Sequence, residues 1–143
     1  MKHTIEKLAD LEIIKVTIDG RLNLLERKEI YSQAISELKR NGYNRLLFDG
    51  SKAILSSGYT NVDSIEMSHY MKTFEVQKYS KFAFLSTKIL LQQTTFLAIA
   101  KVINEDLDIR QFTSYDKAIM WLCQDVSAKV PLSSPKSRFW NNV

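Results

Sequence analysis

Short apolar runs, each a helix's length from the next, constrain this chain more than any other feature. They are Leu11–Ile18, Arg45–Phe48, Lys81–Leu85 and Asp108–Phe112. The intervals between them carry helical spacing. Tyr31, Ala34, Ile35 and Leu38 recur at i, i+3, i+4 and i+7, and Met67, Tyr70, Met71 and Phe74 share one face. The third interval, from about Ile89 to Ile103, is apolar on most sides, as expected of a heavily buried helix or a partner surface. After the last run, Tyr115, Ala118, Ile119 and Leu122 form a stripe with Trp121 beside it. Strands alternating with helices predict an α/β layer structure joined by right-handed crossovers. Ahead of the first helix, Thr4–Leu8 and Leu11–Ile18 are both β-like, with only Ala9-Asp10 between them, which predicts a hairpin. The expected fold class is thus a single α/β domain. Its mixed, mostly parallel sheet has about five strands, opens on an N-terminal hairpin and carries about four helices.

Local chemistry marks the boundaries. Asp19-Gly20 is expected to end the second run as a turn. Asn23 caps the first helix, with Glu26 three residues on to reach back, and Asn41-Gly42 supplies a left-handed stop. The second helix is expected from Val62 to about Val76. Ser86 or Thr87 is placed to cap the third, and Thr113, with Asp116, to cap the fourth.

At 143 residues the chain is one domain's length and can bury a core without a metal or disulfide staple. Its single cysteine, Cys123, fits a reducing compartment, no apolar run reaches a membrane span, and no apolar segment follows the first residues as a secretion signal would, so a cytoplasmic protein is expected. The net charge of +4 comes mostly from the end of the chain. Setting aside Lys129, Lys136 and Arg138 leaves 17 of the 20 basic side chains to balance all 16 acids. A body so near neutrality argues against a nucleic-acid partner. The division is therefore a domain over residues 1–125 and a basic extension over 126–143, which holds both prolines, Ser133-Ser134 and the pair Phe139-Trp140.

A candidate site lies between Tyr43 and Asn61. The run Arg45–Phe48 passes into Asp49-Gly50-Ser51, and Ser56-Ser57-Gly58-Tyr59 leads toward the second helix. A polar loop there would sit at a strand's carboxyl end, where open α/β sheets place their crevices. Asp49, Ser51, Ser56, Ser57, Gly58 and Tyr59 are the candidate residues. The glycines lack the Gly-Lys-Ser/Thr ending of a phosphate loop. Asp49 and Asp63 flank the segment and are read as turn and cap residues before an acid–base pair. His69 has no second ligand at metal spacing, although Glu66 lies one turn before it, and Cys123 has no base in view. No catalytic residue, cofactor or metal is expected.

The order of elements resembles the STAS domain, the SpoIIAA-like fold of bacterial anti-sigma-factor antagonists. Leu55-Ser56-Ser57-Gly58-Tyr59 stands where that family carries Asp-Ser-Ser-Gly-Leu or a variant. The ending Arg110–Leu122, with Ala118 and Trp121-Leu122, is similar to the terminal strand and helix of the group. The resemblance implies a phosphate acceptor at Ser56, where the free N–H groups and dipole of a helix start favour an anion. Leu55 replaces the family's acid and Tyr59 its apolar residue, and the plainer reading keeps Ser56 and Ser57 as loop and cap residues.

The function expected is a non-catalytic binding or regulatory module acting through protein–protein contacts. The alternative is a small-molecule or lipid-binding domain, because the broader fold group includes such members and Leu90, Leu91, Phe96, Leu97 and Ile99 could wall an apolar pocket. An enzyme ranks last. The apolar third helix and Phe139-Trp140 also predict a homodimer.

Overall fold

The computed structural model describes residues 3–55, 60–87 and 91–124. In chain order the elements are β1 (His3–Leu8), β2 (Ile13–Leu22), α1 (Leu24–Asn41), β3 (Arg45–Leu55), α2 (Asn61–Lys72), β4 (Lys81–Leu85), α3 (Leu91–Ile103), β5 (Asp108–Phe112) and α4 (Tyr115–Leu122). The strands lie in the order β1-β2-β3-β4-β5. β1 and β2 pair antiparallel and every later pair is parallel. The expected mixed, mostly parallel sheet is therefore present, and the hairpin opens it.

Consecutive parallel strands joined by right-handed crossovers put their helices on one face. Alternation along the strands follows from this. Ile14, Val16, Leu46, Phe48, Phe82 and Phe84 turn toward α1, α2 and α3 and form the main core with Tyr31, Leu38, Met71 and Phe96. Ile13, Leu47, Ala83 and Leu85 turn to the opposite face, which α4 covers with Ala118, Trp121 and Leu122. All five residues of β4 are buried, as a strand with neighbours on both sides and helices on both faces requires. Rings run through the main core: Phe48 stacks on Phe84 with centroids 4.8 Å apart, and Tyr31 meets Phe74 at 5.4 Å.

The helix ends follow their local chemistry. Asn23 and Glu26 form the expected capping box on α1, and Gly42, at φ 70°, closes it in the left-handed conformation. Elsewhere the boundaries differ from expectation. The hairpin loop takes four residues, because Leu8 pairs with Ile13 and Glu12 turns through φ 56°. β2 does not stop at Asp19-Gly20: Gly20 adopts φ 96° inside the strand, which continues to Leu22. α2 ends at Lys72, short of Val76. Ser114, not Thr113, caps α4, accepting from the Lys117 N–H. Trp121 belongs to the buried stripe of α4 while Tyr115 lies at the surface under the Lys15 ammonium, 5.1 Å away. α3 buries Phe96, Leu97 and Ala100, and Val102 faces outward at 77 % exposure.

Candidate functional site at the carboxyl end of the sheet

The segment expected to be a loop after Phe48 is a continuation of β3. Thr17 pairs with Asp49 and Asp19 with Lys52, so β3 spends three steps where β2 spends two. The extra residue makes a β-bulge at Asp49-Gly50-Ser51. Asp49 holds it, since one carboxylate oxygen accepts from the Ser51 backbone N–H at 3.0 Å and from its hydroxyl at 2.6 Å. Gly50 eases a close approach: a β-carbon there would sit 3.2 Å from the Leu85 carbonyl oxygen. β4 ends its pairing with β3 at this point, at Leu85 opposite Asp49. Beyond it β2 and β3 run on as a two-stranded parallel ribbon, Asp19–Leu22 against Lys52–Leu55.

The sequence-predicted residues divide here. Asp49 and Ser51 are brought together, as a clasp within the strand. Ser56, Ser57, Gly58 and Tyr59 lie outside the described residues. The cap of α2 is Thr60, which accepts from the Asp63 N–H while Asp63 accepts from the Thr60 N–H. That capping box accounts for Asp63 and separates it from Asp49 in role. Among the described residues no three His, Cys, Asp or Glu side chains are grouped to hold a metal ion. Glu66 turns away from His69 and pairs with Lys28 on α1, whose ammonium also sits 5.3 Å from the Tyr70 ring.

That Lys28 contact ties the second turns of α1 and α2 together, and the apolar side chains on the turns around it were not singled out by sequence. Leu25, one turn before Lys28, is 67 % exposed, Val62, one turn before Glu66, is 69 % exposed, and Ile65 beside it is 45 % exposed. Ile54, near the end of β3, is also exposed. The signal for them was available. Val62 and Ile65 fall off the Met67–Met71 stripe that α2 buries, so an apolar pair stood where solvated residues belong.

Below this surface a cavity of about 40 Å³ is lined by Arg27, Tyr31, Met67, Met71, Phe84 and Phe96, among others. A second, of about 90 Å³, opens beside the bulge, with Gly50, Ala53 and Gln93 in its wall. Both are well under the roughly 300–1,000 Å³ of small-molecule pockets. Of the expected apolar wall, Leu90 lies outside the described residues, and among the described residues Phe96 is the one that lines the first cavity. Burial pushes the Tyr31 phenol above its usual range, and its hydroxyl has no hydrogen-bond partner among the described residues. No helix among the described residues is long and apolar enough to cross a membrane.

No protein-family model matches the chain, and no curated protein matches it. Solved structures do. An anti-sigma factor antagonist from Mycobacterium paratuberculosis superposes with a TM-score of 0.55 at 14% identity, over 85% of this chain and 93% of that one. An uncharacterized DUF3478-family protein from Shewanella loihica PV-4, described as having a SpoIIAA-like fold, gives 0.52 at 18% identity, over 85% and 92%. With five strands in consecutive order opening on an N-terminal hairpin, three helices on one face and α4 on the other, this chain has a SpoIIAA-like fold.

Proposed function

We propose that the protein is a non-catalytic regulatory module that binds another protein through the first turns of α1 and α2. The observation that carries this reading is the apolar surface of Leu25, Val62 and Ile65 above the Lys28–Glu66 pair. Scattered exposed apolar residues are ordinary, but three on adjoining turns of neighbouring helices make a surface suited to a partner. The likeness in fold to an anti-sigma factor antagonist is consistent with such a role. In this reading Ser56 and Ser57, just before α2 in the sequence, are the candidate switch of that surface. A phosphate on either serine would change its charge and so switch binding.

The test is quantitative capture from lysate of the native host, comparing wild type, Val62→Asp and Val102→Asp, with circular dichroism to confirm folding. Wild type and Val102→Asp should retain one stoichiometric partner and Val62→Asp should lose it. Equal capture by all three, or no stoichiometric partner, would sink the reading. A light-scattering mass of two chains that falls to one in Val62→Asp would assign the surface to a homodimer instead. Peptide mass analysis of the native protein reports whether Ser56 or Ser57 carries phosphate.

A further inference from the structure

At the opposite end of the sheet, two recesses run together where β4 and β5 begin. One, of about 300 Å³, is lined in part by Tyr79, Lys81, Glu105, Asp106 and Asp108. The other, of about 440 Å³, shares Glu105, Asp106 and Leu107 with it and continues past Phe74, Glu75 and Val76. Leu107 is buried between them, with Phe74 and Val76 half-buried, so the groove has an apolar floor under an acidic rim.

Of the acids, Asp108 meets Arg110 at 3.4 Å, while Glu75, Glu105 and Asp106 have no ion-pair partner among the described residues. Lys72 and Lys81 line the recesses too, but each turns its ammonium to backbone carbonyls, Lys72 to Ile103 and Lys81 to Trp121 and Gln124. Lys78 is the remaining base in the lining. Tyr79 stands at the rim, 67 % exposed, in a left-handed conformation at φ 65°. A bulky residue adopts that conformation only at a cost, and here an aromatic ring is presented outward.

We infer that this groove is the docking site of the chain's own basic extension, residues 126–143, with Phe139-Trp140 over the floor beside Tyr79 and Lys136 and Arg138 against Glu105 and Asp106. Three observations select this occupant. The last described residue, Gln124, is tied to the groove's lining, because its carbonyl accepts from the Lys81 ammonium at 2.9 Å. Charge matches: residues 126–143 contain Lys129, Lys136 and Arg138 and no acidic side chain. Reach is ample, since an extended chain spans about 3.3 Å per residue. Tethering also raises the local concentration to the order of mM, so individually weak contacts hold. Arg138 and Lys136 gain a ring partner in Tyr79 as well as the carboxylates.

Hydrogen–deuterium exchange on the full chain tests this. At low salt the amides of residues 136–140 should exchange at least about tenfold more slowly than their intrinsic rates. The protection should vanish in Glu105→Lys/Asp106→Lys, in Lys136→Glu/Arg138→Glu, and in about 1 M salt, where the screening length falls to roughly 3 Å. Combining the two charge reversals should restore it. The second reversal leaves residues 3–124 unaltered and carries the test even where the first disturbs folding. Intrinsic exchange rates in the wild type would overturn the inference, as would protection indifferent to either reversal. Protection that grows with protein concentration would also overturn it, by showing that a second copy supplies the segment.

Discussion

Replacing Lys81 by Met sets a buried charge's cost against its bonds. The side chain is 4 % exposed, at the start of β4. Its ammonium donates to the carbonyls of Trp121 and Gln124 at 2.9 Å each and lies 5.2 Å from the Trp121 ring. These carbonyls are at the C-terminus of α4, the negative end of that helix's dipole, so position and charge agree. Hydrogen bonds to a charged group contribute roughly 1.5–3 kcal/mol each. Against this stands the desolvation of the ammonium, several kcal/mol in a protein interior. Methionine keeps most of the stem's packing and removes that desolvation, but it takes the charged donor from both carbonyls; that of Trp121 keeps the Gln124 backbone N–H at 3.2 Å, while that of Gln124 loses the ammonium. The net loss should be about 1–3 kcal/mol. With a urea m-value of about 2 kcal/mol/M, the unfolding midpoint should fall by roughly 0.5–1.5 M. Exchange should show the α4 amides opening before those of β3. A midpoint within about 0.3 M of wild type would mean that desolvation cancels the bonds, and the reasoning would fail.

Tyr31→Phe should stabilise the fold by about 1 kcal/mol, measured by urea unfolding, because it removes a buried hydroxyl that has no partner among the described residues. The same burial raises the phenol's folded pKa, so its contribution is constant below the unfolded value near 10 and is lost as pH rises beyond it. Wild-type stability should therefore drop above about pH 10 more steeply than that of Tyr31→Phe. Asn23→Ala should cost about 1 kcal/mol by removing one half of the α1 capping box, and an unchanged urea midpoint would contradict that role. Gly50→Val should cost roughly 1–3 kcal/mol by pressing its side chain toward the Leu85 carbonyl, visible as a lower melting temperature.

Reading the sequence succeeded where one residue's chemistry decides the outcome. Asn23 with Glu26 and Asn41 with Gly42 mark the ends of α1 because caps act within a single turn. The apolar runs marked the strands, most plainly β4, which is buried on both faces and apolar from Phe82 to Leu85. It failed where pairing between distant segments decides. Gly20 and Gly50 read as stops, yet each sits inside a strand, one to allow a positive φ and the other to clear Leu85, and neither demand is visible without the neighbouring strand. So the polar site expected after Phe48 is in part strand. Val62 and Ile65 were legible but unread: both fall off the Met67–Met71 stripe, and the packed orientation of α2 leaves them outside.

Among the described residues, three helices cover one face of the sheet and α4 the other, which has a consequence during synthesis. Ile13, Leu47, Ala83 and Leu85 form an apolar surface as soon as β4 has joined β3, but α4 is the last of the described elements to be made. At about 5–20 residues per second, translation from Leu85 to Leu122 takes roughly 2–7 s. For that interval the nascent chain offers this bare face to chaperones and to other nascent chains. Slowing elongation between β4 and α4 should therefore lower the yield of native protein more than an equal pause placed before β3.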